Sequence, residues 1–127
     1  MIKLLVVDDE KGITDPLKDF FEHRGFSVTA VNNGESALEA IKKDKPDIVF
    51  LDIVMKGMSG LEVLKAIKNF DKNIKVIMLT IHEEKEIIEQ AKKQGADEYI
   101  TKPFRVDYLE EVVIKKVQEL LKEKDNE

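Results

Sequence analysis

The sequence is notable first for what is missing from its 127 residues: cysteine, an excess of positive charge, and any long apolar run. Without cysteine, the chain has no disulfides, no thiolate nucleophile and no zinc finger. The formal net charge of −5 gives no electrostatic footprint for nucleic-acid binding. No apolar run approaches the roughly 20 residues that span a bilayer, and the N-terminus lacks a signal-peptide pattern. We therefore expect a cytoplasmic protein with no direct nucleic-acid contact and no membrane insertion.

The length and composition are those of one globular domain. The chain has a mass of 14.6 kDa. Its residues are 43% hydrophobic and 37% charged, with both signs of charge mixed. This is enough for a core with two sides. We assign residues 1–123 to the domain and residues 124–127 to a charged C-terminal tail.

Short apolar runs rich in β-branched residues alternate with longer amphipathic stretches. The short runs predict strands at residues 3–7, 26–31, 47–51, 75–79 and 98–101. The stretches between them have helical spacing, and residues 105–123 predict a long last helix. This alternation predicts an α/β fold, with a doubly wound five-stranded parallel sheet in a flavodoxin-like three-layer sandwich. The order 2-1-3-4-5 fits best, with the more polar second and fifth strands at the edges.

The start of the first helix is ambiguous because of Pro16. A helix capped by Thr14 or Asp15 would place Pro16 in its first turn, where the missing N–H costs nothing. A helix that begins near Glu10 would instead be kinked at Pro16. We expect a distorted first turn. For the second helix, Asn33 is the predicted cap.

The segment LLVVDDE, residues 4–10, runs from a buried strand directly into three carboxylates. Two like unit charges about 4 Å apart repel by about 4 kcal/mol at an effective dielectric constant near 20. The three acids must therefore meet a positive group or point apart into water.

Polar side chains recur where the other predicted strands end. Asp8 and Asp9 follow the first strand, Asp52 the third, Thr80 the fourth and Lys102 the fifth. Singly, each has an ordinary explanation, because Asp caps helices and forms turns, Thr favours strands and Lys favours solvent. Together they lie at the edge where doubly wound sheets bind ligands. We therefore predict that they converge on one site.

The acids of this predicted site suit a hard cation. Asp8, Asp9 and Asp52 offer only oxygen ligands, and Mg²⁺ is the natural occupant because it keeps several waters and uses few carboxylates. A calcium cage would need more protein oxygens, and the spacing of a helix–loop–helix calcium loop is absent. Zinc would need His or Cys ligands.

Four blocks of the sequence together resemble the receiver domain of two-component response regulators. They are LLVVDDE, IVFLDIVMKGMSG, VIMLT and GADEYITKPF, and they follow one another in the order and spacing of that family over essentially the whole chain. The resemblance implies that Asp52 is the phosphoacceptor. It also implies that Asp8 and Asp9 bind Mg²⁺ together with Asp52 and the main-chain carbonyl of Val54, and that Lys102 pairs with the phosphate.

The resemblance further implies a switch that responds to phosphorylation. A sensor histidine kinase or a histidine phosphotransfer protein would supply the phosphoryl group. Thr80 would then turn toward the phosphate and Tyr99 would rotate inward, repacking the face that flanks its strand. The altered face would bind a downstream protein or an output domain outside these residues, and a phosphorylation-dependent homodimer is a further expectation. The family usually has a cis peptide before the proline that corresponds to Pro103.

Three positions near the site depart from the family pattern or extend it. Lys56 replaces a usual Pro, which predicts a less rigid loop and an additional cation. Ile81 replaces a usual small residue, which predicts restricted access to the site and slower phosphoryl transfer or a longer-lived phosphoform. His82 is interpreted as an exposed residue at a helix start, in preference to a partner contact.

Other functions on the same fold fit less well. A Mg²⁺-dependent phosphohydrolase with an Asp nucleophile would carry a DxD arrangement and a cap domain. A flavin or nucleotide module would need a Gly-rich or Ser/Thr-rich phosphate loop after the first strand. An inert adaptor would normally have lost Asp52, Thr80 or Lys102, and all three are present. We therefore predict a regulatory domain that catalyses only its own phosphorylation and dephosphorylation. Whether it acts alone or belongs to a longer regulator stays open.

Overall fold

The computed structural model describes residues 1–81 and 85–125, so the interpretation of His82 lies outside the described residues. The strands are β1 (Lys3–Val7), β2 (Ser27–Val31), β3 (Ile48–Asp52), β4 (Lys75–Thr80) and β5 (Glu98–Thr101). The helices that alternate with them are α1 (Lys11–Glu22), α2 (Gly34–Lys43), α3 (Gly60–Phe70) and α4 (Lys85–Lys93). After β5 come α5 (Val106–Tyr108), a π-helical turn (Leu109–Val113) and α6 (Ile114–Asp125).

The five strands form one parallel sheet in the order β2-β1-β3-β4-β5. This confirms the predicted topology and the predicted edge strands. The interior strands β3 and β4 are buried at every position, which is the pattern of a sheet covered on both faces. Among the described residues, no helix combines the length and apolar character needed to cross a membrane.

The hydrophobic core lies in two layers, because successive residues of a strand point to opposite faces of the sheet. Leu4 and Val6 of β1 pack in the layer built with α1 and with residues 106–125. Leu5 and Val7 pack in the other layer, which is built with α2, α3 and α4. The predicted three-layer sandwich is therefore present.

The first helix begins earlier than a cap at Thr14 or Asp15 would allow. Glu10 is its N-cap, and the carbonyl of Glu10 accepts from the N–H groups of both Ile13 and Thr14, at 3.0 and 3.1 Å. These two bonds tighten the first turn. Pro16 therefore lies inside the helix, where it has no N–H to donate to the carbonyl four residues earlier. Of the two alternatives for the start of this helix, the one that begins near Glu10 is observed.

The C-terminal helical segment also differs in its details from the prediction. It begins at Val106, contains the π-helical turn and continues to Asp125. Lys124 and Asp125, which were assigned to the charged tail, continue α6. Residues 126–127 lie outside the described part of the chain. The predicted cap of α2 is confirmed, since the Asn33 side chain accepts from the Ser36 N–H at 2.8 Å.

The start of α3 packs directly against the main chain that follows β3. The Gly60 N–H donates to the Ile53 carbonyl at 2.9 Å. A Cβ atom on Gly60 would lie 2.7 Å from the Ile53 Cα atom and would also meet the Asp52 carbonyl. Only glycine fits here, because backbone atoms rather than flexible side chains occupy the space. A Cβ atom added to Gly12, near the start of α1, would instead lie in open space.

These two glycines give a matched pair of predictions. We expect Gly60→Ala to lower the free energy of unfolding by about 2 kcal/mol or more, because the backbone after Asp52 must shift. We expect Gly12→Ala to change it by less than about 1 kcal/mol, in the stabilising direction, because a helical residue loses its excess chain entropy. Urea unfolding followed by circular dichroism measures both. Equal stability of the two variants would contradict the close packing at Gly60.

Candidate functional site

The polar residues predicted at the strand ends lie at one edge of the sheet. Asp52 and Thr80 are the last residues of β3 and β4, and Lys102 follows β5 directly. Parallel pairing keeps these ends aligned, with Asp52 opposite Leu79 and Thr80 opposite Thr101. The sequence therefore places its polar groups where the buried strands stop.

The ammonium group of Lys102 is the centre of this site. Its Nζ atom lies 2.8 Å from Asp8 Oδ2 and 3.4 Å from Asp52 Oδ2. The side chains of Lys102, Asp8 and Asp52 are 4%, 0% and 5% exposed. One buried cation therefore joins two buried carboxylates that come from β1 and β3.

The three acids of DDE are arranged around the same ammonium group. The Glu10 N–H donates to Asp8 Oδ1 at 3.0 Å, which folds the chain back on itself after β1. Glu10 Oε1 lies 3.6 Å from Lys102 Nζ, and Asp9 is exposed to solvent. Part of the repulsion noted in the sequence is thus relieved by Lys102, and part by solvent.

A group of three carboxylates overlaps the predicted metal-binding set only in part. Among the described residues, one oxygen each of Asp8, Asp9 and Glu10 lies within 4.8 Å of the other two. Asp52 is connected to Asp8 through Lys102. Glu10 was not predicted as a site residue. The chemistry of these donors fits a hard divalent cation, because all are carboxylate oxygens and ligand oxygens across a Mg²⁺ or Ca²⁺ ion are about 4–5 Å apart.

Asp52 is held at the point where β3 ends, and its charge is only partly compensated. The Val54 N–H donates to Asp52 Oδ1 at 3.3 Å. Burial and, to a smaller extent, the charge of Asp8 raise the pKa of Asp52 to about 6, against the opposing effects of Lys102 and the Val54 N–H. The Val54 carbonyl as a metal contact stays a prediction.

Lys102 remains a cation in this setting. Burial lowers its pKa, but the hydrogen bond to Asp8 and the charges of Asp52, Asp8 and Glu10 outweigh it, so the pKa is raised. The Lys102 N–H donates to the Thr80 carbonyl at 2.7 Å, and the peptide bond to Pro103 is cis, which confirms the prediction from the family pattern. Thr80 itself is 4% exposed.

Tyr99 is separated from the acids and lies at the surface of β5. Its side chain is 36% exposed, and the ammonium group of Lys92 lies 5.7 Å from the ring centroid. A cavity of ≈ 280 Å³ adjoins it, lined by residues that include Met78, Ile88 and Ala91. Space next to the ring is therefore available on the α4 side of the sheet.

The two described departures from the family pattern lie in exposed loops. Ile81 follows Thr80 and is 59% exposed. Lys56 is exposed in the loop after β3, and Gly57 beside it has φ of 77°, a left-handed conformation that glycine adopts without strain. Val54, in the same loop, is 63% exposed.

Comparisons with family models and with individual known proteins indicate the same family. The model of the response regulator receiver domain matches residues 4–114. Sporulation initiation phosphotransferase F of Bacillus subtilis is 39% identical over 89% of this chain and 91% of its own length. The chemotaxis protein CheY of Listeria monocytogenes is 41% identical, over 91% of this chain and 98% of its own. Several other curated relatives are longer proteins, and this chain spans only 25% to 47% of their length.

Solved structures agree with this family. A two-component response regulator from Clostridium difficile superposes with a TM-score of 0.88 at 29% identity, covering 96% of this chain and 97% of that one.

The raised pKa of Asp52 predicts how stability depends on pH without metal. The folded protein binds the Asp52 proton more tightly than the unfolded chain, because the pKa is about 6 rather than 3.8. The contribution of Asp52 to the free energy of unfolding is therefore complete below about pH 4 and is lost as the pH rises through about 6. In EDTA at neutral pH, we expect Asp52→Asn to raise the free energy of unfolding by about 1–2 kcal/mol. The gain should vanish below about pH 4. Urea titrations of both proteins across pH measure this, and a constant difference would contradict it.

Proposed function

This chain belongs to the response regulator receiver domain family, a regulatory family of two-component signalling, and we propose that it is a switch activated by phosphorylation of Asp52. The observation that carries the proposal is the position of Lys102. Its buried ammonium group lies 2.8 Å from Asp8 and 3.4 Å from Asp52, at the edge of the sheet where the strands end. A carboxylate, a fixed cation and a group of further acids thus meet in one place.

In the proposed reaction, Asp52 is the nucleophile. A carboxylate oxygen of Asp52 forms a bond to phosphorus as the bond from phosphorus to the donor's leaving group breaks, giving an acyl phosphate. When the donor is a phosphohistidine, the imidazole leaves and takes up a proton. At neutral pH Asp52 is mostly ionised and so is ready to attack, since its pKa is about 6.

Lys102 and the neighbouring acids prepare the site for a doubly charged phosphoryl group. Lys102 supplies a compact positive charge that can move from Asp8 to a phosphate oxygen over a short distance. Asp8, Asp9 and Asp52 would hold Mg²⁺, together with the Val54 carbonyl. When bound, Mg²⁺ would neutralise the phosphoryl oxygens and orient them for in-line transfer.

The proposed output is a change in the face around Thr80 and Tyr99. The new phosphate oxygens would accept a hydrogen bond from the Thr80 hydroxyl. The Tyr99 ring would then move inward from its half-exposed position, toward the cavity of ≈ 280 Å³ beside it. Such a repacking converts a local charge into an altered binding surface.

The proposed partners follow from this chemistry. The phosphoryl donor is a sensor histidine kinase or a histidine phosphotransfer protein, and the exchange takes place in the cytoplasm. The relative from Bacillus subtilis is named as a phosphotransferase, which supports a role in passing phosphoryl groups between proteins. The receiver of the signal is a downstream protein or an output domain. A phosphorylation-dependent homodimer would form where the altered face binds a second copy of this chain.

Direct phosphorylation tests the proposal. We expect acetyl phosphate with Mg²⁺ to add one phosphoryl group to the wild-type protein and none to Asp52→Asn, as measured by intact mass. Removing Mg²⁺ with EDTA should abolish the adduct. Asp44→Asn is the matched control, because Asp44 is an exposed carboxylate whose partner Lys3 lies at the opposite edge of the sheet. An adduct that persists in Asp52→Asn would contradict the assignment of Asp52.

Ile81 gives a second test, of how long the phosphoform lives. Its β-branched side chain directly follows Thr80 and is exposed, so it would restrict the approach of water to a phosphoryl group on Asp52. We expect Ile81→Ala to shorten the lifetime of the phosphoform several-fold, as followed by loss of the phosphoryl adduct after the donor is removed. Ile2→Ala, a remote exposed isoleucine, should leave it unchanged. Equal lifetimes for Ile81→Ala and the wild type would rule out this role.

A further inference from the structure

We propose that the outer side of β2, the side that faces away from β1, is an interface at which a second copy of this chain adds its own β2 in antiparallel orientation. The pairing would join two five-stranded sheets into one continuous sheet. β2 and β5 lie at opposite ends of the strand order. The interface is therefore separate from the face around Tyr99, and the inference does not depend on phosphorylation of Asp52.

The main chain of β2 carries hydrogen-bonding groups that point away from the sheet. The Ser27 N–H donates to the carbonyl of the residue before β1 at 2.9 Å, and the Val31 carbonyl accepts from the N–H of the residue after β1 at 3.2 Å. Because these directions alternate along a strand, the N–H and C=O groups of Val28 and Ala30 point outward. Within the described part of the chain, nothing forms a hydrogen bond with these outward groups.

The outer side of β2 lacks the features that usually keep an outermost strand from pairing. Such strands are protected by charged side chains, by proline or by bulges. Residues 25–34, which include β2, are the longest uncharged run of a chain that is 37% charged, and they contain no proline. β2 also pairs with β1 in an unbroken register. The other outermost strand, β5, is protected, since it carries Glu98, whose carboxylate is paired with Lys116 at 2.9 Å.

Small side chains and two clefts leave room for another strand beside β2. Ser27, Thr29 and Ala30 are all exposed. A cleft of ≈ 280 Å³ lies on the α2 side, lined by residues that include Thr29 and Ala40. A second cleft, of ≈ 560 Å³, lies on the α1 side, lined by residues that include Ala30 and Thr14. The two helices next to β2 therefore leave its outer side uncovered.

A second copy of β2 fits this side because the pairing is self-complementary. In the antiparallel arrangement, Val28 of each copy faces Ala30 of the other, and the two residues exchange both main-chain hydrogen bonds. The Thr29 side chains then meet at the two-fold axis, and cross-strand Thr–Thr pairs are favourable. The uncharged run also lets two chains of net charge −5 approach here without placing like charges opposite each other.

Sedimentation of the unphosphorylated protein tests this interface. We expect the weight-average mass to rise from 14.6 kDa toward twice that value between about 10 µM and about 1 mM, because small interfaces associate weakly. Ala30→Pro removes an outward N–H from each copy and keeps the bonds to β1, and outermost strands accept proline at such positions. We expect it to weaken the dimer at least about 10-fold. Circular dichroism and urea unfolding check that the variant is folded.

Charge at position 29 tests the antiparallel register without changing the main chain. Thr29→Lys and Thr29→Glu, each alone, should weaken the dimer at least about 5-fold, because like charges then face each other across the axis. An equimolar mixture of these two variants should restore association, because opposite charges then meet. Gln118→Lys is the matched control, since it adds the same charge as Thr29→Lys at an exposed position of α6 and should leave the dimer unchanged.

Asp52→Asn should dimerise as the wild-type protein does. A wild-type protein that stays monomeric over the whole concentration range would overturn the proposal. So would a dimer that both Ala30→Pro and Thr29→Lys leave intact, or a dimer that forms only in the phosphorylated protein, because either would lie on another face. None of these results would affect the proposed phosphorylation of Asp52, which is measured separately by intact mass.

Discussion

The structure of the site depends on one buried ion pair network, in which a single ammonium group faces two buried carboxylates. Removing Lys102, Asp8 and Asp52 from water costs several kcal/mol per charge unless the charges are paired. The Lys102 contacts to Asp8 and Asp52 offset part of this cost, but one positive charge cannot neutralise two negative ones. The excess is visible in Asp52, whose pKa is raised to about 6. The site therefore favours the arrival of further positive charge.

The fold makes this arrangement possible by bringing distant residues to one edge. Asp8 and Lys102 are 94 residues apart in the sequence, yet they form a hydrogen bond. Their positions are fixed by the parallel order of β1, β3, β4 and β5 and by the burial of the central strands. The contact between Gly60 and the main chain after Asp52 then fixes α3 against the same edge. Stability and site geometry are thus supplied by the same elements.

The sheet topology and the convergence of the main site residues could be predicted from the sequence, because both depend on patterns that extend over several residues. The alternation of apolar runs gave the strands to within a residue or so, and crossover rules gave their order. The convergence of Asp8, Asp52 and Lys102 followed from the topology. The position of Glu10 could not be predicted, because it arises from one hydrogen bond to Asp8 Oδ1 that breaks strand alternation. The sequence left the start of α1 open between Glu10 and a cap at Thr14 or Asp15, because Glu is a poor cap whereas Thr and Asp are good ones.

Lys102 and Thr80 share a main-chain hydrogen bond of 2.7 Å between neighbouring strand ends. Neither backbone can shift independently of the other while that bond persists. A rearrangement that keeps this bond must therefore move the ends of β4 and β5 together, or be limited to side-chain rotation above a fixed main chain.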